Sequence, residues 1–159
     1  MAETSPHPSR SGLYFEDFAI GQTLTSAARK VSEADVMAFA ALTGDYTPIH
    51  IDAEYAARHP FGRRVAHGLL GLSLASALAI QMGFVEETIL AFRGMNEWKF
   101  SLPIYLEDTI RVKVVVQEMR PVRRLGGGMV TFGVEVLNQA DQVVQQGTWS
   151  LLVKSRAVP

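Results

Sequence analysis

A chain of 159 residues, 48% apolar and 19% charged, holds one domain with a real core and is too short for two ordinary ones. Lys plus Arg is 15 and Asp plus Glu is 16, so a formal charge of −1 gives no field that would mark nucleic acid or an anionic membrane surface as a partner. The lack of cysteine excludes disulfides, thiolate nucleophiles and Cys-ligated zinc, and is compatible with a reducing compartment.

Residues 1–12 are polar and rich in Pro and Ser, the composition of a disordered lead-in, and His7 lies within it. The segment lacks the apolar core of a signal peptide, which makes the cytoplasm the expected location. A strand is expected near residues 22–30. Ser32-Glu33-Ala34-Asp35 reads as a helix start, with Ser32 as cap and acidic residues in the first turn. Val36, Phe39, Ala40 and Thr43 continue at helical spacing, and Gly44 stops the run. A loop follows. Asp52 then caps a short second helix ending at Arg58, and residues 59–64 form another loop.

Residues 65–83 are apolar nearly all round, as in a helix that is either buried or spans a membrane. A length under about 20 residues, interrupted by Gly and Ser and flanked by Arg63-Arg64, favours burial. Gly71, Ala75 and Ala79 make a small-residue stripe that admits a sheet closely, beside a larger stripe of Leu70, Leu74 and Leu78. After Gly83 the period becomes two. Residues 89–101 read as a central strand, carrying Asn96, Trp98 and Lys99. Val112, Val114 and Val116, then Val130, Phe132, Val134 and Val136, then Trp149, Leu151 and Val153 alternate with polar residues. Gly126-Gly127-Gly128 and residues 138–142 supply the turns of an antiparallel meander. The expected fold is α+β: a hot-dog arrangement over residues 13–155, with an antiparallel sheet curled around one apolar helix and a tail at 156–159.

The segment Asp45-Tyr46-Thr47-Pro48-Ile49-His50 carries the chemistry. In a straight helix, five positions rotate one side chain about 140° from the other. In a strand, an odd separation puts them on opposite faces. A turn can bring Asp45 to His50, and Pro48 stiffens one while biasing Thr47 towards extended geometry. A rigid turn presenting an acid and an imidazole suits proton transfer. Read singly, Asp45 is equally a turn-former after a helix cap and His50 an ordinary buried histidine.

Phe39-Ala40-Ala41-Leu42-Thr43-Gly44-Asp45-Tyr46-Thr47-Pro48-Ile49-His50-Ile51-Asp52, followed by Val65-Ala66-His67-Gly68-Leu69-Leu70, resembles the MaoC-like dehydratases, whose members include (R)-specific enoyl-CoA hydratases. The resemblance covers about residues 14–153. It implies a hot-dog fold, usually a homodimer, and reversible addition of water to a trans-2-enoyl thioester. Asp45 and His50 match the catalytic pair. Gly68 matches the glycine whose backbone N–H faces the thioester carbonyl. Physics is compatible with these roles. Hydration needs a base for water attacking C3, a proton donor for C2 and a stabiliser for the enolate-like oxygen. Gly68, at the start of the buried helix, offers free N–H groups and the positive dipole end.

Candidate substrate contacts are His67, Ser73, Ser76, Asn96 and Arg63. Each has a plainer reading: a local cap for His67, hydrogen bonds to the preceding turn for the serines, and solvated surface for Arg63, as for Arg64, Arg123 and Arg124. Trp98 reads as core. His50, His59 and His67 lack metal-site spacing, so no metal is expected, and no cofactor beyond the coenzyme A thioester that is the substrate. Partners are expected to be acyl-CoA and a second copy of the chain, its sheet joined edge to edge. Two rivals share the fold: an acyl-CoA thioesterase and a catalytically silent acyl-thioester-binding subunit.

Overall fold

The computed structural model describes residues 12–156, so the expected lead-in, apart from Gly12, and the expected tail, apart from Arg156, lie outside the described residues. Strands β1 (Thr23–Thr25) and β2 (Arg29–Lys30) precede helices α1 (Glu33–Thr43), α2 (Pro48–Ile51), α3 (Ala53–Arg58) and α4 (Gly68–Gln81). Strands β3 (Ile89–Phe100), β4 (Thr109–Val122), β5 (Gly127–Leu137) and β6 (Val143–Lys154) complete the chain. The sheet runs β1-β4-β5-β6-β3, with β2 also on β4, and every pairing is antiparallel. This is the expected hot-dog plan. Among the described residues no helix is long and apolar enough to cross a membrane.

The alternation of side chains decides which face of the sheet meets the helix. Ile110, Val112, Val114 and Val116 of β4 are buried, as are Val130, Phe132, Val134 and Val136 of β5. Their neighbours along each strand turn outward, as the pleat requires. Leu70, Gly71, Ala75, Leu78 and Ala79 of α4 are the residues it buries, so the small stripe does face inward. Phe132 stands edge-on to Phe18 at 5.8 Å and to Phe84 at 5.6 Å. Truncating this aromatic corner is costly: Phe132→Ala, at 1% exposure, costs about 3–5 kcal/mol.

The helix ends follow local chemistry. Ser32 accepts from the Asp35 N–H while the Asp35 carboxylate accepts from the Ser32 N–H, a reciprocal capping box. Gly44 terminates α1 at φ 77°, a left-handed conformation that glycine adopts without penalty. Asp52 caps α3 through the Tyr55 N–H at 2.9 Å.

Three expectations need correction. The loop after Gly44 contains the short helix α2, because Pro48 at its start has no N–H to lose and a pre-set φ. The long helix begins at Gly68, since Val65 bridges Tyr105 and the Ala66 N–H bonds the Ile104 carbonyl, holding both residues extended. Among the described residues strand β3 is an edge of the sheet, paired only with β6, so Asn96, Trp98 and Lys99 do not lie on a central strand.

Candidate active site

Three stretches of chain meet at one point: the exit of α1, the turn α2 and the entrance of α4. After Gly44 the chain turns sharply. The Asp45 carboxylate accepts from the Thr47 N–H at 3.1 Å and the Thr47 hydroxyl at 2.5 Å. These bonds close an Asx turn and hold one carboxylate oxygen. They also keep the Asp45 carboxyl below its ordinary range, the Thr47 hydroxyl contributing most. In the single chain the Asp45 side chain is 46% exposed, so water reaches it freely.

His50 is the third residue of α2. Its Nδ1 lies 2.8 Å from the Val65 carbonyl. A carbonyl only accepts, so in the neutral ring Nδ1 carries the proton and Nε2 is left as a bare acceptor. Burial lowers the His50 pKa below its ordinary value, against an opposing pull from the Val65 carbonyl. The neutral imidazole is thereby favoured, the form able to take a proton at Nε2.

His67 immediately precedes α4 and is buried. Its Nε2 donates to the Asp45 carbonyl at 2.9 Å, and its ring lies 3.9 Å from that of His50, centroid to centroid, at a 30° tilt. Donor atoms of Asp45, His50 and His67 thus fall within 4.8 Å of one another. The arrangement fits a metal ion poorly. Nitrogen ligands converge on zinc at about 2.0–2.1 Å. Here the ring centroids lie 3.9 Å apart at a 30° tilt, a near face-to-face arrangement that does not favour in-plane lone pairs meeting at one point, and each ring has one nitrogen held by a carbonyl. The cluster is better suited to moving protons.

Gly68 opens α4, where first-turn N–H groups have no partner within the helix. Gly68 and His50 line one cavity of about 340 Å³, walled also by Phe61, Ala66, Phe100 and Gln145. A side chain on Gly68 would meet the Phe100 ring at 2.9 Å, so the glycine keeps that wall open. Gln145 is a contributor that the sequence reading missed. From β6 it donates to the Gly68 carbonyl at 3.0 Å and accepts from the Trp98 indole at 3.3 Å. The alternation Trp149, Leu151, Val153, continued backwards, puts position 145 on the buried face, and a polar residue there was the available signal.

Asp45 stands beside His50 but is not among the residues lining the cavity, and the other candidates are not gathered there. His67 sits behind His50 and does not line it. The Ser73 hydroxyl is exposed and bonds back to the Leu69 carbonyl at 2.8 Å, and Ser76, half-buried further along α4, is not in the lining either. Asn96 is exposed on the edge strand. Arg63, exposed two residues from the cavity-lining Phe61, lies 3.9 Å over the Tyr105 ring. Arg64 is paired with Glu33. Trp98 stacks on Trp149 at 5.6 Å, as a core residue should.

The family model described as "MaoC like domain" matches residues 17–140. The chain belongs to the MaoC-like dehydratase family. A relative from Methylorubrum extorquens, named 3-hydroxybutyryl-CoA dehydratase, is 38% identical over 88% of this chain and 83% of its own length. One from Rhodospirillum rubrum, named (R)-specific enoyl-CoA hydratase, is 32% identical over 90% of this chain and 93% of its own. The crystal structure of a MaoC-like dehydratase from Rhodospirillum rubrum superposes with a TM-score of 0.83 at 30% identity, covering 92% of this chain and all of that one. This MaoC-like protein is accordingly an enzyme of the hydratase and dehydratase class, and Asp45, His50 and Gly68 lie in the part that the family model matches.

Proposed function

We propose that the protein catalyses the reversible hydration of a trans-2-enoyl-CoA to the (R)-3-hydroxyacyl-CoA, with Asp45 and His50 acting on one water and the Gly68 N–H as the oxyanion donor. The observation that carries this reading is that His50 and Gly68 line one cavity while an Asp45 carboxylate oxygen, just outside that lining, lies within 4.8 Å of a His50 ring nitrogen. In the hydration direction, His50 Nε2 takes a proton from water as the oxygen bonds to C3. The C2–C3 π electrons move onto the thioester, and the enolate-like oxygen is met by the Gly68 N–H. C2 then receives a proton from the same pair, so water adds across the double bond with no other reactant. A lost oxyanion donor of this kind raises a barrier by about 3–4 kcal/mol. The (R) face and coenzyme A as carrier are supported by the names of the relatives.

The proposed assembly is a homodimer formed along β3. This 12-residue edge strand exposes Leu90, Phe92, Met95 and Phe100, and pairing it with a second copy removes an unprotected edge.

The deciding experiment is a panel of trans-2-enoyl-CoAs offered to the wild type and to Asp45→Asn. The substitution keeps shape and loses the carboxylate, so turnover falls by about 10²-fold or more with folding intact. Full turnover in the variant refutes the scheme. Release of free thiol from saturated acyl-CoA would instead identify a thioesterase.

A further inference from the structure

His67 touches both members of the Asp45–His50 pair, yet the scheme above leaves it without a task. It is 3% exposed and does not line the cavity, so neither solvent nor substrate accounts for it. Its Nε2 must carry a proton, because its partner there is the Asp45 carbonyl, which only accepts. One face of its ring lies against His50, and Phe39 of α1 packs on it at 5.0 Å. Gly68, the next residue, begins α4. One stiff imidazole therefore ties together the exit of α1, the turn α2 and the entrance of α4.

The choice of residue type is informative. Nδ1 of His67 is buried with no hydrogen-bond partner. Leaving a buried nitrogen unpaired is unfavourable, and a phenylalanine of similar shape would avoid it. What histidine adds over phenylalanine is the Nε2–H on the Asp45 backbone. Asp45 stands on an exposed turn where the Thr43 hydroxyl accepts from its N–H at 3.2 Å and Thr47 holds its carboxylate, and the His67 bond adds the tie from its carbonyl to the entrance of α4.

We propose that His67 is a positioning residue for the reaction: its Nε2–H anchors the Asp45 main chain, and its ring sets the plane of the His50 imidazole. The proposal rests on the reading of Asp45 and His50 as the catalytic pair. Its consequence is specific to the chemical step. Displacing reacting groups by an ångström lowers turnover by up to about 10²-fold. Binding of the thioester in the cavity, to which His67 does not contribute, is spared.

The test measures kcat and KM for crotonyl-CoA in three variants beside the wild type. His67→Phe keeps a ring and its volume and removes the donor. His67→Gln keeps an amide donor at about the reach of Nε2 and removes the ring. Asp45→Asn, run in parallel, tests the underlying pair. The expected result is a kcat lowered about 10- to 100-fold in His67→Phe, with KM within about threefold of wild type, and a kcat several-fold higher in His67→Gln than in His67→Phe. Wild-type kcat in His67→Phe overturns the proposal, as does a loss confined to KM or a His67→Gln no better than His67→Phe. If Asp45→Asn is impaired while His67→Phe is not, only the positioning role falls. If Asp45→Asn turns over like the wild type, the pair itself is wrong and the proposal goes with it. A measurement on the wild type needs no variant to fold: nitrogen-15 NMR of the imidazoles should find His67 protonated at Nε2 with slow exchange. Protonation at Nδ1 alone would overturn the proposal.

Discussion

Replacing Gly71 with alanine sets two effects of opposite sign against each other. Gly71 lies inside α4, where alanine is favoured over glycine by about 1 kcal/mol on helix propensity alone. Packing opposes this. A Cβ there would collide with Nε2 of Gln145 and come within 2.7 Å of Cδ1 of Ile104. Gln145 is 2% exposed and Ile104 4%, so neither has open space to retreat into. Overpacking a core costs about 1–3 kcal/mol. Pushing Gln145 aside also breaks its bond to the Gly68 carbonyl and strands a buried amide, another cost of about 1–3 kcal/mol. The steric and polar costs exceed the propensity gain, for a net loss of about 1–5 kcal/mol. For a domain of this size that lowers Tm by about 2–20 °C. The assay is thermal unfolding by circular dichroism at one fixed protein concentration, since assembly would make Tm depend on concentration. A Tm equal to or above that of wild type would refute the packing argument. Adding Gln145→Ala to Gly71→Ala should recover part of the loss, with a coupling of about 0.5–3 kcal/mol, because the collision is then relieved.

Further expectations follow from the site and the frame around it. Burial lowers the His50 pKa from the ordinary 6.5, so on acidification the unfolded chain takes up this proton before the folded one does. Stability due to His50 is therefore constant above 6.5 and declines as pH falls from there towards the folded value; urea unfolding at about pH 7.5 and about pH 5.5 should show the decline, and His50→Asn should remove its share. The acid limb of kcat/KM, where His50 becomes protonated, should likewise lie below 6.5, and a limb above that value would show that burial does not govern this histidine. Ser32→Ala removes one half of the α1 capping box and should cost about 1 kcal/mol, read as a Tm lower by about 2–4 °C. Sedimentation should give twice the 17.5 kDa chain mass, and Met95→Lys on the β3 edge should shift it towards the single-chain value; a monomeric wild type would rule out edge pairing.

Local chemistry made much of this molecule legible before any coordinates. Ser32 and Gly44 marked the ends of α1, since capping and left-handed backbone depend on residue type within a turn. Two-residue alternation placed the buried faces of β4 and β5, and the small stripe of α4 turned out to be its buried side. Where that reading erred, distant partners had intervened. Residues 65 and 66 are apolar enough for the helix, but Tyr105 and Ile104 hold them extended. The short helix α2 spans too few residues to show a period, so a proline-led turn was all that could be seen.

For the site, residue type and spacing offered Asp45 and His50 as an acid and imidazole on one turn beside plainer readings, and the resemblance to the MaoC-like dehydratases added Gly68 and the expected roles of all three. Their company was decided only by tertiary structure. His67 reaches a carbonyl 22 positions away, and Gln145 one 77 positions away. Periodicity reports which face of an element a residue occupies. It does not report which other face packs against it, because that depends on how the sheet and α4 fill the same volume. The same limit explains why His67, expected as a substrate contact, is instead a buried neighbour of Asp45 and His50.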